Sequence, residues 1–354
     1  MTGFQGELAL KFALQSATQY GTPDVVRLAR LALGQGFKQI WVNDNLGQRN
    51  IFVVLAAIAA QVPIKLGTAI VVPYFRNPVD IADSLAALSE LTEGREVSVG
   101  IARGESARAG QQVEMPNPVA MVRETTLAIK ALLAGKSVKF RDYPTACTYH
   151  HIHPEQEFRL AFSPGAPMRF YCGGHGKRIL EVAGEVMDGI YFGDHAIPVM
   201  RAGRLDSFLA VARAASAMRS QGRFDICELD ISLSRDRASS FAYARPFAAH
   251  VLVHLEGMGF TADDFQSLAI EPRLVDSLIE ACRGGATIQA ASALLSDDVV
   301  KSCFVVGSPE ECRDQLAALM DEAERLKFSQ MAFAKLGPDY HEAISLLRDI
   351  CGRS

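Results

Sequence analysis

The chain has 354 residues, of which 49% are hydrophobic and 21% charged, a composition that excludes a disordered protein and permits a large buried core. The formal net charge is −4, and lysines and arginines form no dense cluster, so we expect no nucleic-acid partner. Seven scattered cysteines without a CxxC pair indicate reduced thiols. Because no apolar stretch has the ~18 residues of a membrane span, we expect a cytoplasmic protein without a membrane partner.

Alternating strand and helix signals run along the whole chain. Helix starts are marked by Thr22-Pro23, with Thr22 as the N-cap, by Asn77-Pro78, and by the capping box that begins at Ser308. Eight strands, each followed by helix, predict an α/β protein made of one (β/α)8 barrel domain over residues 1–354. The predicted strands lie at 11–17, 39–43, 69–72, 97–102, 168–172, 189–193, 226–234 and 330–335.

Three segments interrupt this repeat and predict lids or insertions at 107–117, 136–167 and 236–300. The second is too long for an ordinary connection and is predicted to be irregular. The third is predicted to be helical, with one helix starting at Pro246, and a long helix is predicted earlier, at 198–218.

Polar residues follow several of the predicted strands. The strand at 97–102 ends at Arg103-Gly104-Glu105, and a carboxylate there would lie at the end of the barrel where catalytic groups are found. The alternative for Glu105 is a solvated loop residue. Asp44 and Asn45 follow the strand at 39–43 in the same way.

A glycine-rich turn joins the strand at 168–172 to the next helix. Gly173, Gly174 and Gly176 would let backbone N–H groups approach an anion, and Lys177 and Arg178 would add positive charge. This pattern is typical of a phosphate cradle. A tight turn that simply requires small residues is the alternative.

Three histidines in the sequence HHIH, at positions 150, 151 and 153, raise the question of a metal site. Since no carboxylate or cysteine lies near them at ligand spacing, a surface or lid loop is the preferred interpretation. We therefore predict no metal.

Five segments in order resemble the bacterial luciferase-like superfamily, and within it the methylenetetrahydromethanopterin reductase group, whose members use the deazaflavin coenzyme F420. The segments are GFKQIWVNDNLGQRN at 36–50, LGTAIVVPYFRNP at 66–78, ELTEGREVSVGIARGES at 90–106, AGEVMDGIYF at 183–192, and VVGSPEEC at 305–312 with LGPDYHEAISLL near the end.

The resemblance implies an F420 ring at the barrel mouth, against Asp44 and Asn45. It also implies a non-prolyl cis peptide at Ala69-Ile70, after Thr68, as a bulge behind the ring. The remaining cofactor-binding residues that it suggests are Arg103, Gly173, Gly174, Gly176, Lys177 and Arg178.

Two positions depart from the family pattern. Relatives usually have histidine where this chain has Asn45, and their first strand often has glutamate where this chain has Gln15. Neither amide exchanges a proton near neutral pH, although both can form hydrogen bonds. Glu105 is therefore the predicted proton carrier, with Asn45 and Gln15 as orienting residues.

The leading hypothesis is an F420-dependent oxidoreductase that moves a hydride to or from a small organic substrate. The alternatives are an FMN-dependent monooxygenase and, less favoured, a non-catalytic flavin-binding barrel. The apolar helices at 51–60 and 81–91, together with the resemblance, predict a homodimer.

Overall fold

The computed structural model describes residues 3–13, 17–104, 113–217 and 222–351. Its strands pair mainly in parallel. The strands are β1 (Glu7–Phe12), β2 (Gln39–Val42), β3 (Lys65–Val71), β4 (Val97–Ile101), β5 (Val138–Lys139), β6 (Glu157–Phe158), β7 (Met168–Cys172), β8 (Gly189–Phe192), β9 (Ile226–Leu233), β10 (Val305–Gly307) and β11 (Gln330–Ala334).

Helices connect the strands and surround them. They are α1 (Thr22–Gly34), α2 (Ile51–Ala59), α3 (Pro78–Glu90), α4 (Pro118–Leu133), α5 (Pro144–Tyr149), α6 (Lys177–Val186), α7 (Ala196–Arg201), α8 (Leu205–Ala215), α9 (Arg237–Leu255), α10 (Ala262–Ser267), α11 (Pro272–Arg283), α12 (Ile288–Ala291), α13 (Asp297–Cys303), α14 (Pro309–Arg325) and α15 (Tyr340–Cys351).

Among the described residues, eight parallel strands form a closed ring in the order β1, β2, β3, β4, β7, β8, β9 and β11, and β11 pairs back with β1. The predicted (β/α)8 barrel is confirmed. Two additions lie outside the ring: β10 extends the end of β9, and β5 and β6 form a short antiparallel hairpin. This hairpin and α5 lie within the segment 136–167, which was predicted to be irregular.

The first strand begins and ends earlier than predicted. β1 spans Glu7–Phe12 rather than 11–17, because the alternation of side chains between the two faces of the strand starts at Leu8. Leu8 and Leu10 belong to the large core between barrel and helices, whereas Ala9 belongs to the core inside the barrel. Successive side chains of a strand point to opposite faces, so Lys11 points inward.

Three helix predictions were wrong in detail. The helix predicted at 198–218 is divided into α7 and α8 at Gly203, whose φ of 68° is incompatible with continuing the helix. Pro246 lies inside α9, which begins nine residues earlier, where the Asp236 carboxylate accepts a hydrogen bond from the backbone N–H of Ala238. Gly21 rather than Thr22 is the N-cap of α1.

The barrel interior contains three kinds of side chain along its axis. An amide layer lies near the amino ends of the strands: Trp41 Nε1 donates to Gln330 Oε1 at 2.7 Å, and Gln330 Nε2 donates to Gln39 Oε1 at 3.0 Å. Aromatic rings lie above it, with Trp41 centred 4.8 Å from Tyr191 and 5.7 Å from Tyr171. Charged residues follow towards the carboxyl ends, where the site lies.

Candidate active site

A cavity opens at the carboxyl ends of the barrel strands, where parallel barrels carry their chemistry. Residues from seven strands or the loops that follow them contribute to it, so distant parts of the sequence meet there. The lining residues are Lys11, Asn43, Asp44, Asn45, Ala69, Ile70, Val72, Gly104, Gly173, His175, Tyr191, Gly193, Asp194 and Glu228.

One wall is formed by the ends of β2 and β3, and its charge is neutralised within the wall. The buried Asp44 carboxylate forms an ion pair with Arg76 and accepts a hydrogen bond from the backbone N–H of Val72 at 3.3 Å. Burial raises the pKa of Asp44, while Arg76 opposes that rise. Asp44 therefore acts as a fixed acceptor that holds the loop before α3, and the half-buried amide of Asn45 lies beside it.

A bulge in β3 forms the floor next to this wall. The peptide bond between Ala69 and Ile70 is cis, as the resemblance implied, and the pairing of β3 with β4 shifts register there. Neighbouring strands accommodate the bulge with glycines: a Cβ on Gly173 would lie 2.6 Å from Ile70 Cγ2. Gly173 is thus required by close packing against Ile70.

The opposite wall, formed by β1, β8, β9 and β11, carries an ionic layer of four side chains. Lys11 Nζ donates to the two carboxylate oxygens of Glu228 at 3.1 and 2.8 Å. Lys335 Nζ donates to both oxygens of Asp230 at 2.9 and 2.8 Å and reaches Asp194 at 3.2 Å. All four residues of the ionic layer, namely Lys11, Glu228, Asp230 and Lys335, are buried.

Burial and pairing shift the titration of these groups in opposite directions. Burial opposes the charge of Lys11, but the Glu228 carboxylate raises the pKa of its ammonium group. Burial also opposes ionisation of Asp194, yet Lys335 and then Lys11 hold the pKa of that carboxyl well below its usual range. Lys11 and Asp194 are therefore charged at neutral pH, whereas burial raises the pKa of Asp230 to about 7.

Several polar atoms of the β7–β8 side lack hydrogen bonds. Among the described buried side chains, His175 Nε2 and both ring nitrogens of His195 have no hydrogen-bond partner, and the Tyr191 hydroxyl lies beside the Glu228 carboxylate. Burial raises the pKa of Tyr191 well above its usual value, and it lowers the pKa of His175 to about 4 and that of His195 to about 3. These groups are neutral at pH 7 and can donate or accept hydrogen bonds.

The structure brings together only some of the predicted cofactor-binding residues. Asp44, Asn45, Ala69, Ile70 and Gly173 line the cavity. The remaining predicted residues are not among its lining: Thr68, Arg103, Gly174, Gly176, Lys177 and Arg178.

Thr68 is fully buried beneath the bulge, where its hydroxyl donates to the carbonyl oxygen of Gly100 at 2.8 Å. Lys177 and Arg178 are exposed in the first turn of α6, and Gly176 is the N-cap of that helix. Arg103 is exposed after β4. Two predicted catalytic residues, Gln15 and Glu105, lie outside the described residues.

Sequence reasoning missed Lys11, Tyr191, Asp194 and Glu228 as lining residues. One signal in the sequence points to Glu228. It lies two residues before Asp230 in a strand that is buried along its whole length, so both carboxylates point to the same face of the strand. Two carboxylates on one face of a barrel strand require cationic partners, and Lys11 is the cationic residue of β1.

Carboxylate oxygens of Asp194, Glu228 and Asp230 lie within 4.8 Å of one another, close enough to share a cation. Lys11 binds Glu228, and Lys335 binds Asp230 and Asp194, so two ammonium groups already supply cations to this cluster. Of the HHIH sequence, the His150 ring contacts the carbonyl oxygen of Pro73 through Nε2 at 2.8 Å. That contact ties the segment 136–167 to the loop after β3.

A closed parallel barrel with a polar cavity at the carboxyl ends of its strands defines a (β/α)8 barrel of the enzyme type. The sequence model of the luciferase-like monooxygenase family matches residues 8–324, and the chain belongs to that family. The predicted superfamily membership and the prediction of an oxidoreductase are confirmed.

Two curated relatives and one solved structure illustrate the similarity. The 5,10-methylenetetrahydromethanopterin reductase of Methanolobus tindarius is 26% identical, with 93% of this chain and 95% of the relative covered. The F420-dependent glucose-6-phosphate dehydrogenase of Nocardia farcinica is 27% identical, with 98% of each covered. The coenzyme F420-dependent tetrahydromethanopterin reductase from Methanopyrus kandleri superposes with a TM-score of 0.74 at 19% identity, covering 97% of both chains.

None of the helices in the described part of the chain is long and apolar enough to span a lipid bilayer.

Proposed function

We propose that the chain is a coenzyme F420-dependent oxidoreductase that transfers a hydride between F420 and a small organic substrate. The observation that carries the proposal is the cavity at the carboxyl ends of the barrel strands, with an apolar face at Ala69, Ile70 and Val72. Some curated relatives of the chain are named for F420-dependent reactions. Hydride transfer itself would be the chemistry of the bound deazaflavin.

The cavity residues fit such a group. Ala69, Ile70 and Val72 offer an apolar surface on which a planar ring would pack, and the Asn45 amide offers hydrogen bonds at the edge of that surface. The carboxylate of Asp44 is fixed by Arg76 and would hold this edge in place. The fit at the β7 end is less direct: Lys177 and Arg178 are exposed, at the N-terminus of α6, and would meet an anionic tail outside the cavity.

Proton transfer would have to come from a group other than Asn45, because an amide does not titrate near neutral pH. Glu105 remains the predicted proton carrier. Glu228 also lines the cavity, but its two oxygens are bound to Lys11 and its side chain is fully buried, so its role would be to fix Lys11 and the wall.

The test is direct binding of F420 and of FMN to the purified chain, followed by cofactor fluorescence and absorbance. We expect F420 to bind more tightly than FMN. The double variant Lys177→Ala/Arg178→Ala should weaken F420 binding about tenfold, since two charge-assisted hydrogen bonds at an exposed site would be lost. Arg30→Ala/Lys38→Ala removes the same charge from exposed positions of α1 and the loop before β2, and serves as the matched control.

Tight FMN binding with no binding of F420 would favour the FMN-dependent monooxygenase; two solved neighbours are named as monooxygenases. Binding of neither cofactor would favour a non-catalytic barrel. Unchanged F420 affinity in the double variant would remove Lys177 and Arg178 from the cofactor site without affecting the proposed reaction.

A homodimer is part of the proposal. Large apolar side chains are exposed in and near α2 and α3: Val53 is 62% exposed, Leu91 43% and Leu46 37%. A second copy of the chain would cover them. Sedimentation at micromolar concentration should give a dimer, and Val53→Glu should give a monomer.

A further inference from the structure

We infer that the Lys11 ammonium group binds the oxygen atom on the reacting carbon of the substrate, and that the substrate is therefore a carbonyl compound or the corresponding alcohol. Glu228 acts through Lys11 as a positioning residue. The inference rests on the proposed function, because it concerns the molecule that would exchange a hydride with F420.

Lys11 presents a positive charge to the cavity. Among the lining residues that the structure describes, it is the one lysine or arginine. Its side chain is 10% exposed, whereas the Glu228 side chain is not exposed at all. The barrel interior on the other side of Lys11 is filled by aromatic rings, and the centre of the Tyr191 ring lies 5.7 Å from Lys11 Nζ. The exposed part of Lys11 therefore faces the cavity.

The Lys11 ammonium group has hydrogen-bonding capacity left for a ligand. An ammonium group carries three N–H donors. In the described part of the chain, the acceptors of Lys11 Nζ are the two carboxylate oxygens of Glu228, at 3.1 and 2.8 Å. One N–H group is left over, and buried donors rarely lack an acceptor. An oxygen atom of a molecule in the cavity would supply that acceptor.

Glu228 keeps this ammonium group charged and in place. Burial opposes the charge of Lys11, but the carboxylates of Glu228 and Asp194 raise the pKa of Lys11 by more than burial and the Lys335 ammonium group lower it. Both oxygens of Glu228 are bound to Lys11, and the Tyr191 hydroxyl lies beside them. At neutral pH, Lys11 is thus a hydrogen-bond donor with a fixed charge and not a general base.

The position of Lys11 suits a reaction at a carbonyl carbon. The facing wall is the apolar surface of Ala69, Ile70 and Val72, so a substrate between the walls would contact the F420 ring on one side and Lys11 on the other. When a hydride adds to a carbonyl carbon, the electron pair of the C=O π bond moves to the oxygen, which then takes a proton, in the proposed function from Glu105. An ammonium group fixed beside that oxygen stabilises the negative charge as it develops. Oxidation of the alcohol follows the same steps in reverse.

Two neutral probes of nearly the same shape test this chemistry. Hydroxyacetone carries a C=O group where methallyl alcohol carries a C=CH₂ group, so hydroxyacetone alone offers an oxygen lone pair at that carbon. Their dissociation constants would be measured by saturation-transfer NMR at pH 7, with and without saturating F420.

Three variants separate the ammonium group from its surroundings. Lys11→Met/Glu228→Gln removes the ammonium group and leaves no unpaired buried charge, so this variant should fold. Glu228→Gln alone keeps Lys11 and removes its positioning residue. Lys65→Met removes a partly exposed lysine at the amino end of β3, away from the cavity, and is the control.

We expect the parent chain to bind hydroxyacetone about tenfold more tightly than methallyl alcohol, since an ammonium donor forms a strong hydrogen bond with a carbonyl oxygen. The ratio of the two affinities should fall to about one in Lys11→Met/Glu228→Gln. It should keep the parental value in Lys65→Met.

A pH series separates the positioning role of Glu228 from a purely structural one. In the parent chain the preference for hydroxyacetone should persist from pH 6 to pH 9, because the raised pKa keeps Lys11 charged. In Glu228→Gln the pKa of Lys11 should fall, since burial is then less opposed, and the preference should be lost within this range as the pH rises. A preference that stays constant in both chains would overturn the role assigned to Glu228.

Equal affinities of the two probes for the parent chain would overturn the inference, and so would the absence of saturable hydroxyacetone binding. A preference for hydroxyacetone that persists without Lys11, or one that is lost in Lys65→Met, would also overturn it. Failure of the proposed function is seen separately, as failure of F420 to bind, and the ratio of the two affinities is still measurable without the cofactor.

Discussion

The two polar layers of the barrel interior lie at opposite ends of the same strands and solve the problem of burial differently. In the amide layer, the polar groups of Gln39, Trp41 and Gln330 are neutral and hydrogen-bond to one another. Gln39 also donates to the carbonyl oxygen of Leu66, and Gln330 to the partly exposed carboxylate of Glu7. In the ionic layer, two lysines are paired with carboxylates, and the unpaired ring nitrogens of His175 and His195 lie at the same end of the barrel.

The difference follows the functional polarity of the barrel. A satisfied neutral network rigidifies the closed end of the barrel at little electrostatic cost. Buried ion pairs contribute less net stability, since the cost of desolvating the charges offsets much of their attraction. Removing one partner leaves the other charge buried and unpaired. The ionic layer therefore fits a role in holding the cavity wall, whereas the amide layer fits a role in stability alone.

Replacing Lys11 with methionine should have the largest effect. The substitution leaves the fully buried Glu228 carboxylate without its cation, and breaking a buried pair in this way costs about 3–5 kcal/mol of unfolding free energy. Urea unfolding of the variant measures the loss.

The double variant Lys11→Met/Glu228→Gln should recover much of it, because no unpaired charge remains. Lys65→Met removes the partner of Glu7 in a pair whose side chains are 37% and 42% exposed, and should cost less than about 1 kcal/mol. If Lys11→Met and Lys65→Met were equally mild, the ionic layer would not be a buried network.

Replacing Gln330 with methionine should destabilise the chain less, by about 1–3 kcal/mol, because it leaves the buried indole N–H of Trp41 without an acceptor. F420 affinity should not change, since the amide layer lies on the far side of the aromatic rings from the cavity. Gln61→Met, at an exposed position after α2, is the control. Weaker F420 binding in Gln330→Met would show that the two ends of the barrel are coupled.

Much of this fold could be predicted from the sequence, because parallel strands and their helices are defined by local patterns. β7 has the predicted bounds, Met168–Cys172, since an apolar run ends at glycines there. The predicted first strand starts at Lys11, four residues after the start of β1. That the Lys11 side chain points into the barrel becomes evident only when the strands that pair with β1 are known.

The two walls of the cavity differed in how far they could be predicted. Asp44, Asn45, Ala69 and Ile70 follow their strands in segments that carry the family resemblance, and they lie together at the cavity. The ionic layer depends on contacts between residues far apart in sequence: Lys11 lies 217 positions from Glu228, and Lys335 lies 105 from Asp230. Local patterns do not encode such pairs.

The smallest expected effect concerns His195, whose titration makes the folded chain less stable at acidic pH. Its pKa is about 3 in the folded chain, because burial and then His175 disfavour the charged ring, against about 6.5 when unfolded. Between these values the unfolded state binds more protons, so this residue's contribution to stability falls as pH decreases from about 6.5 towards 3.

Replacing His195 with phenylalanine removes this titration and also two buried nitrogens without partners. The variant should be as stable as the parent, or slightly more stable, at pH 8, and should gain about 2 kcal/mol relative to the parent at pH 5. Urea unfolding at both pH values measures the difference, and comparison with the parent cancels the titration of Asp230 and the other carboxylates. His153→Phe, at an exposed position, should show no such gain. A variant less stable than the parent at pH 8 would mean that the His195 nitrogens are bound by a group such as an ordered water, and that the cavity end of the barrel is as fully hydrogen-bonded as the amide layer.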